Sequence, residues 1–102
     1  MGKLTTVAQK KDLPPGKAIA VDLEGKRIAI FNISGQFYAI ADECTHAGGS
    51  LSEGEMEGNV VTCPWHGATY DVTTGAVLSA PADEGVASYK VQIDGDDIKL
   101  EI

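Results

Sequence analysis

Cysteine and histidine are scarce in this chain, two of each among 102 residues. Two thiols are too few for the disulfide framework that holds a small secreted domain together. Positive charge is also short, with 8 basic residues against 15 acidic ones and a net charge of -7. That balance argues against nucleic acid or an anionic membrane surface as a partner. No apolar run approaches the roughly 18 residues that span a bilayer, and the Lys3-Leu4-Thr5-Thr6 opening is no secretory h-region. No membrane is expected as partner, and the expected location is the cytoplasm, where thiols stay reduced. What remains fits one domain, residues 1–102, able to bury about 60–65% of its unfolded surface around a modest core.

Helical periodicity over three turns is missing as well, and the pattern is that of short strands punctuated by turns. Residues 17–23 and 26–32 alternate around Glu24-Gly25, and Ser34-Gly35 leads into 36–41, which predicts a three-stranded meander. Residues 89–94 and 97–102 flank Asp94-Gly95 and predict a terminal hairpin. Between about 42 and 82 the turns become dense, at Gly48-Gly49, Gly54, Gly58, Gly67 and Gly75, and the strands shrink to 59–62 and 69–72. The expectation is all-β, with a loop-rich insert set into a β core.

Both cysteines and both histidines fall inside that insert, as Cys44-x-His46, sixteen residues, then Cys63-x-x-His66. A Cys44–Cys63 disulfide would leave the histidines unexplained. A Cys2His2 zinc site has the required donors, making the chain a zinc-stabilised interaction module, but such sites usually pair Cys with Cys and His with His. Each half here supplies one thiolate and one imidazole, which suits two unequal metal positions better than one tetrahedral site. A [2Fe-2S] centre with two histidines replacing two cysteines on one iron has that donor set.

The stretches Cys44-Thr-His46-Ala-Gly-Gly and Cys63-Pro-Trp-His66-Gly-Ala-Thr-Tyr-Asp resemble the two cluster-binding loops of Rieske proteins. The resemblance covers nearly the whole chain and implies an antiparallel β sandwich with a small loop-rich cluster-binding subdomain, about 42–82. It implies Cys44 and Cys63 on the inner iron, His46 and His66 on the outer iron, and Gly48, Gly49, Gly67 and Ala68 letting the backbone approach the cluster. Ser79-Ala-Pro-Ala82 sits where the family has a covering proline loop. The extra cysteine pair of the quinol-oxidising branch is replaced by Gly49 and Trp65, and the hydroxyl donor of that branch by Ala68. That pattern implies a lower potential, as in soluble ferredoxins that feed ring-hydroxylating oxygenases, although Tyr70 is kept from the high-potential branch. The implied function is one-electron transfer from an NAD(P)H-dependent flavoprotein ferredoxin reductase to a terminal oxygenase, by a monomer with no catalysis of its own. The small subunit of an assimilatory NAD(P)H nitrite reductase shares the size and fold and is the rival reading. A lone tryptophan is usually a core residue, but Trp65 lies between two candidate ligands, and a docking surface is the expectation set against core packing. The acidic clusters Asp42-Glu43, Glu53-x-Glu55-x-Glu57 and Asp83-Glu84 read equally as steering charges or solvated loops.

Overall fold

The computed structural model describes residues 4–42, 50–64, 67–79 and 85–101. Among them are ten strands: β1 (Leu4–Gln9), β2 (Ala18–Leu23), β3 (Lys26–Ile33), β4 (Gln36–Ala41), β5 (Glu55–Glu57), β6 (Val60–Thr62), β7 (Thr69–Asp71), β8 (Val77–Ser79), β9 (Ser88–Asp94) and β10 (Asp97–Glu101). Every pairing is antiparallel. Two short 3-10 turns, Lys10–Asp12 and Leu51–Glu53, complete the regular structure. Among the described residues no helix is long and apolar enough to cross a membrane.

The strands form two sheets, ordered β1-β10-β9-β4-β3-β2 and β5-β6-β7-β8. Turn chemistry sets the register of the meander. Leu23 pairs with Lys26 and Ile33 with Gln36, and the residues between them, Glu24 (φ 52) with Gly25 and Ser34 (φ 53) with Gly35, all have positive φ. Two left-handed central residues match the right-handed twist of the flanking strands. The terminal hairpin forms as expected, but Asp94 pairs with Asp97, so Gly95 and Asp96 are the turn residues and the turn lies one position later than an Asp94-Gly95 turn would.

β3 departs from the alternation read in the sequence: Ile28 through Asn32 are all buried. The reason is that both faces of this strand are covered. Ile28 and Ile30 pack with Leu13, Ala39, Ile98 and Leu100 in a basal core, whereas Ala29 and Phe31 face Leu51, Val61, Tyr70 and Val72 in a second core. Both halves of the larger sheet, β1-β10-β9 and β4-β3-β2, contribute to the first core, and they are joined where β4 and β9 share only the pairs Ala39–Tyr89 and Ile40–Ser88. The smaller sheet lies on the outer face of β3 and β4 to make the second. Burying a large apolar side chain in either stabilises by about 1.5–3 kcal/mol, so the double-sided strand is the structural spine of the chain.

Candidate metal centre

Strand direction brings the candidate ligand segments to one rim of the smaller sheet. Register pairs Glu55 with Thr62, Thr62 with Thr69 and Thr69 with Ser79. The start of β5, the end of β6, the start of β7 and the end of β8 therefore lie side by side. Residues 42–54 lead into β5, residues 63–68 connect β6 to β7, and residues 80–84 leave β8. All three segments that the sequence singles out depart from this rim.

Cys63 is the candidate ligand that falls within the described residues. It follows β6 directly and is 1% exposed, packed in the second core with Leu51, Val61, Ala68 and Tyr70. The neck of its loop is closed by two backbone hydrogen bonds: the Cys63 N–H donates to the Ala68 carbonyl at 2.7 Å, and the Gly67 N–H to the Cys63 carbonyl at 3.1 Å. Gly67 has φ 80, a conformation in which a Cβ would be strained, so the loop can reverse within six residues. Ala68 is buried beside Cys63. Cys44, His46, Gly48, Gly49, Trp65, His66 and the segment 80–84 lie outside the described residues.

The donor set suits a cluster with mixed ligands. Thiolates favour iron–sulfur clusters and imidazole also suits iron. As a thiol, Cys63 fits its apolar surroundings as a small hydrophobe. As a thiolate it requires a positive partner there, which a bound metal supplies.

The neck of the other ligand loop is built on a buried carboxylate. Asp42, at the end of β4, is 0% exposed. Its Oδ2 accepts from Arg27 Nε at 2.7 Å and from the Ser50 hydroxyl, and its Oδ1 accepts from the Ser52 N–H at 2.7 Å. Its main chain is engaged too: the Asp42 N–H donates to the Arg27 carbonyl at 3.0 Å and the Asp42 carbonyl accepts from the Leu51 N–H at 2.6 Å. This overturns the reading of Asp42 as a solvated or steering charge. Burial pushes its carboxyl up, but the hydrogen bonds from Ser50, Arg27 and Ser52 outweigh that and hold it below the ordinary carboxylate value. The same contact raises Arg27. Because the folded value is the lower one, the unfolded chain takes up the proton first as pH falls. The stabilisation is complete above the unfolded value, about 3.9, and is lost as pH drops through the native one. The denaturant midpoint of the parent should therefore exceed that of Asp42→Asn by a margin that is constant near neutrality and narrows in acid below about pH 4.

Gly54 joins the two necks. A Cβ built there would collide with the Thr62 carbonyl oxygen, one residue before Cys63, so the chain returning from the first loop lies directly on the base of the second. Arg27, Asp42, Ser50, Ser52 and Gly54 were not legible as site residues. Of these, only Gly54, as one of several turn glycines, and Asp42, as part of an acidic cluster, carried a local signal, and neither signal pointed to this role. Glu53, Glu55 and Glu57 are exposed, as solvated or steering charges would be.

A family model described as the Rieske [2Fe-2S] domain matches residues 3–90. The biphenyl dioxygenase ferredoxin subunit of Pseudomonas sp. (strain KKS102) is 39% identical over 95% of this chain and 90% of its own. The ferredoxin of carbazole 1,9a-dioxygenase from Nocardioides aromaticivorans IC177 superposes with a TM-score of 0.92 at 31% identity, covering 96% of each chain. A ferredoxin solved in complex with reduced carbazole 1,9a-dioxygenase oxygenase superposes with a TM-score of 0.90 at 33% identity, over 95% of this chain and 91% of that one. A putative nitrite reductase small subunit from Mycobacterium tuberculosis, at 21% identity and TM-score 0.90 over 100% of this chain and 96% of its own, shares the fold alone. The strand order, the closed necks converging on one rim and these likenesses agree, and the chain belongs to the Rieske [2Fe-2S] domain family.

Proposed function

We infer that this chain is the ferredoxin component of a ring-hydroxylating oxygenase system, an electron-transfer protein and not the catalytic oxygenase. Its cofactor is a Rieske-type [2Fe-2S] cluster. Cys44 and Cys63 would supply thiolates to one iron, and His46 and His66 imidazoles to the other. With two neutral imidazoles in place of two thiolates the bound cluster carries less negative charge and accepts a single electron more readily. The chain's own part is to hold the ligands and exclude water: Cys63 sits in the second core, and the two necks fix where the ligand loops begin and end. The observation that carries the reading is a buried Cys63 at a closed neck, on the same rim from which the segment with Cys44 and His46 departs.

The oxygenase is the proposed electron acceptor, a reading supported by a relative solved in complex with its oxygenase. We assign a flavoprotein reductase as donor, a monomeric state, a cytoplasmic location, and a single domain in which about 42–82 is the cluster-bearing part. The test is reconstitution. With dioxygen and the oxygenase's aromatic substrate present, NAD(P)H, a flavoprotein ferredoxin reductase, this chain and a ring-hydroxylating terminal oxygenase should together form dihydroxylated product, and omitting this chain should abolish turnover. Failure to support any such oxygenase, together with a stable complex with a sirohaem subunit, would favour the nitrite reductase reading instead.

A further inference from the structure

We propose that Asp42 is a positioning residue for the cluster, a clasp that holds the loop bearing Cys44 and His46 in its ligating arrangement. The inference rests on the ligand assignment above. Seven residues, 43–49, separate Asp42 from Ser50, and the two ends of that segment are fastened to one side chain. Its carboxylate collects Arg27 from β3, and Ser50 and Ser52 from the returning chain, while its backbone carbonyl holds Leu51. The Ser50 and Ser52 hydroxyls lie 3.2 Å apart, so the returning chain is cross-linked within itself. The foot of the clasp is β3, the strand packed on both faces.

Three features separate this role from ordinary core packing. The Arg27–Asp42 ion pair is 54% exposed at the arginine and 1% at the aspartate, and a pair open to solvent on one side adds little stability by itself. Leu51, held by the Asp42 carbonyl, belongs to the second core, where stability comes from apolar packing. Both carboxylate oxygens are also occupied, Oδ2 by Arg27 and the Ser50 hydroxyl and Oδ1 by the Ser52 N–H, so the geometry of the neck depends on a residue that accepts at both atoms. Asparagine is nearly isosteric but presents an N–H where one of those donors points. Lastly, closing a loop costs entropy that a prefastened neck removes before the metal binds, and residues that hold ligands in place typically change metal retention by about 10–100-fold when altered.

The experiment compares cluster-loaded parent protein with Asp42→Asn, Ser50→Ala and two basal-core variants, Ile98→Val and Leu100→Ala. The core variants bracket the loss in unfolding midpoint without touching the loop. Visible absorbance follows the transfer of iron to an excess of an iron chelator under native conditions, and the visible circular dichroism and EPR line shape of each loaded protein are recorded. Asp42→Asn should lose its cluster about 10-fold or more faster than a core variant of equal unfolding midpoint. It should also show an altered dichroism or EPR line shape, and Ser50→Ala should change in the same direction by a smaller factor. If Asp42→Asn does not fold, Ser50→Ala and Arg27→Met decide by the same two readouts. Cluster loss that follows unfolding midpoint alone, with unchanged spectra, would overturn the clasp and leave Asp42 a structural residue. If instead the parent binds no cluster, or Cys44→Ser keeps it, the ligand assignment fails, which is a separate result.

Discussion

Replacing Cys63 by serine should give a colourless protein that still folds. Iron should fall from the two per chain of a [2Fe-2S] domain to near zero. The hydroxyl is a poor ligand for iron where a thiolate is required, and no other thiol is at hand, since Cys44 is the only other cysteine in the sequence. The fold should survive because serine is smaller than cysteine and the second core keeps Phe31, Ile40, Val61, Tyr70 and Val72. The cost of placing a hydroxyl there is about 1–3 kcal/mol on mutational scales. Iron content and far-ultraviolet circular dichroism together check this. A coloured Cys63→Ser protein with full iron would remove Cys63 from the ligand set.

The second large effect is expected at Gly54. Alanine there would drive a methyl group into the Thr62 carbonyl, and backbone cannot yield as the end of a flexible side chain can. Overpacking of this kind costs about 1–3 kcal/mol, which in a domain of this size lowers the melting temperature on the order of 10 °C. Relief requires the returning chain to move away from the base of the Cys63 loop. Gly54→Ala should therefore hold less iron as purified, as well as melting earlier. An unchanged melting temperature would show that the two necks are not in contact.

The strength of local signals explains what was legible in the sequence. The meander and terminal hairpin were readable because paired turn residues, Glu24-Gly25, Ser34-Gly35 and the Gly95 region, act within a few positions. β1 was missed because an edge strand pairs on one side only, and Leu4–Gln9 shows little continuous apolar character, with its residues exposed or half-buried. β5 was missed because Glu55-Met-Glu57 puts two charges around one half-buried Met, and β8 because Val77-Leu-Ser79 runs straight into the segment read as a covering loop. The burial of Ile28 to Asn32 was mistaken for alternation because a single sequence does not say that a second sheet will cover the other face. The candidate ligands stand out in the sequence for a chemical reason, since every cysteine and histidine falls in two short motifs. Asp42 does not, because its meaning depends on Arg27, fifteen residues away on the neighbouring strand, and adjacent acidic residues are usually solvated. Trp65, like Cys44, His46 and His66, falls outside the described residues, and its docking role is a proposal from the sequence.

The most direct test of the account is the EPR spectrum of the purified protein after one-electron reduction, read with its iron and acid-labile sulfide content. A [2Fe-2S] cluster held by two cysteines and two histidines predicts two irons and two sulfides per chain and a signal of low average g, set by unequal ligation of the two irons. A colourless protein with one zinc per chain and no EPR signal would contradict it.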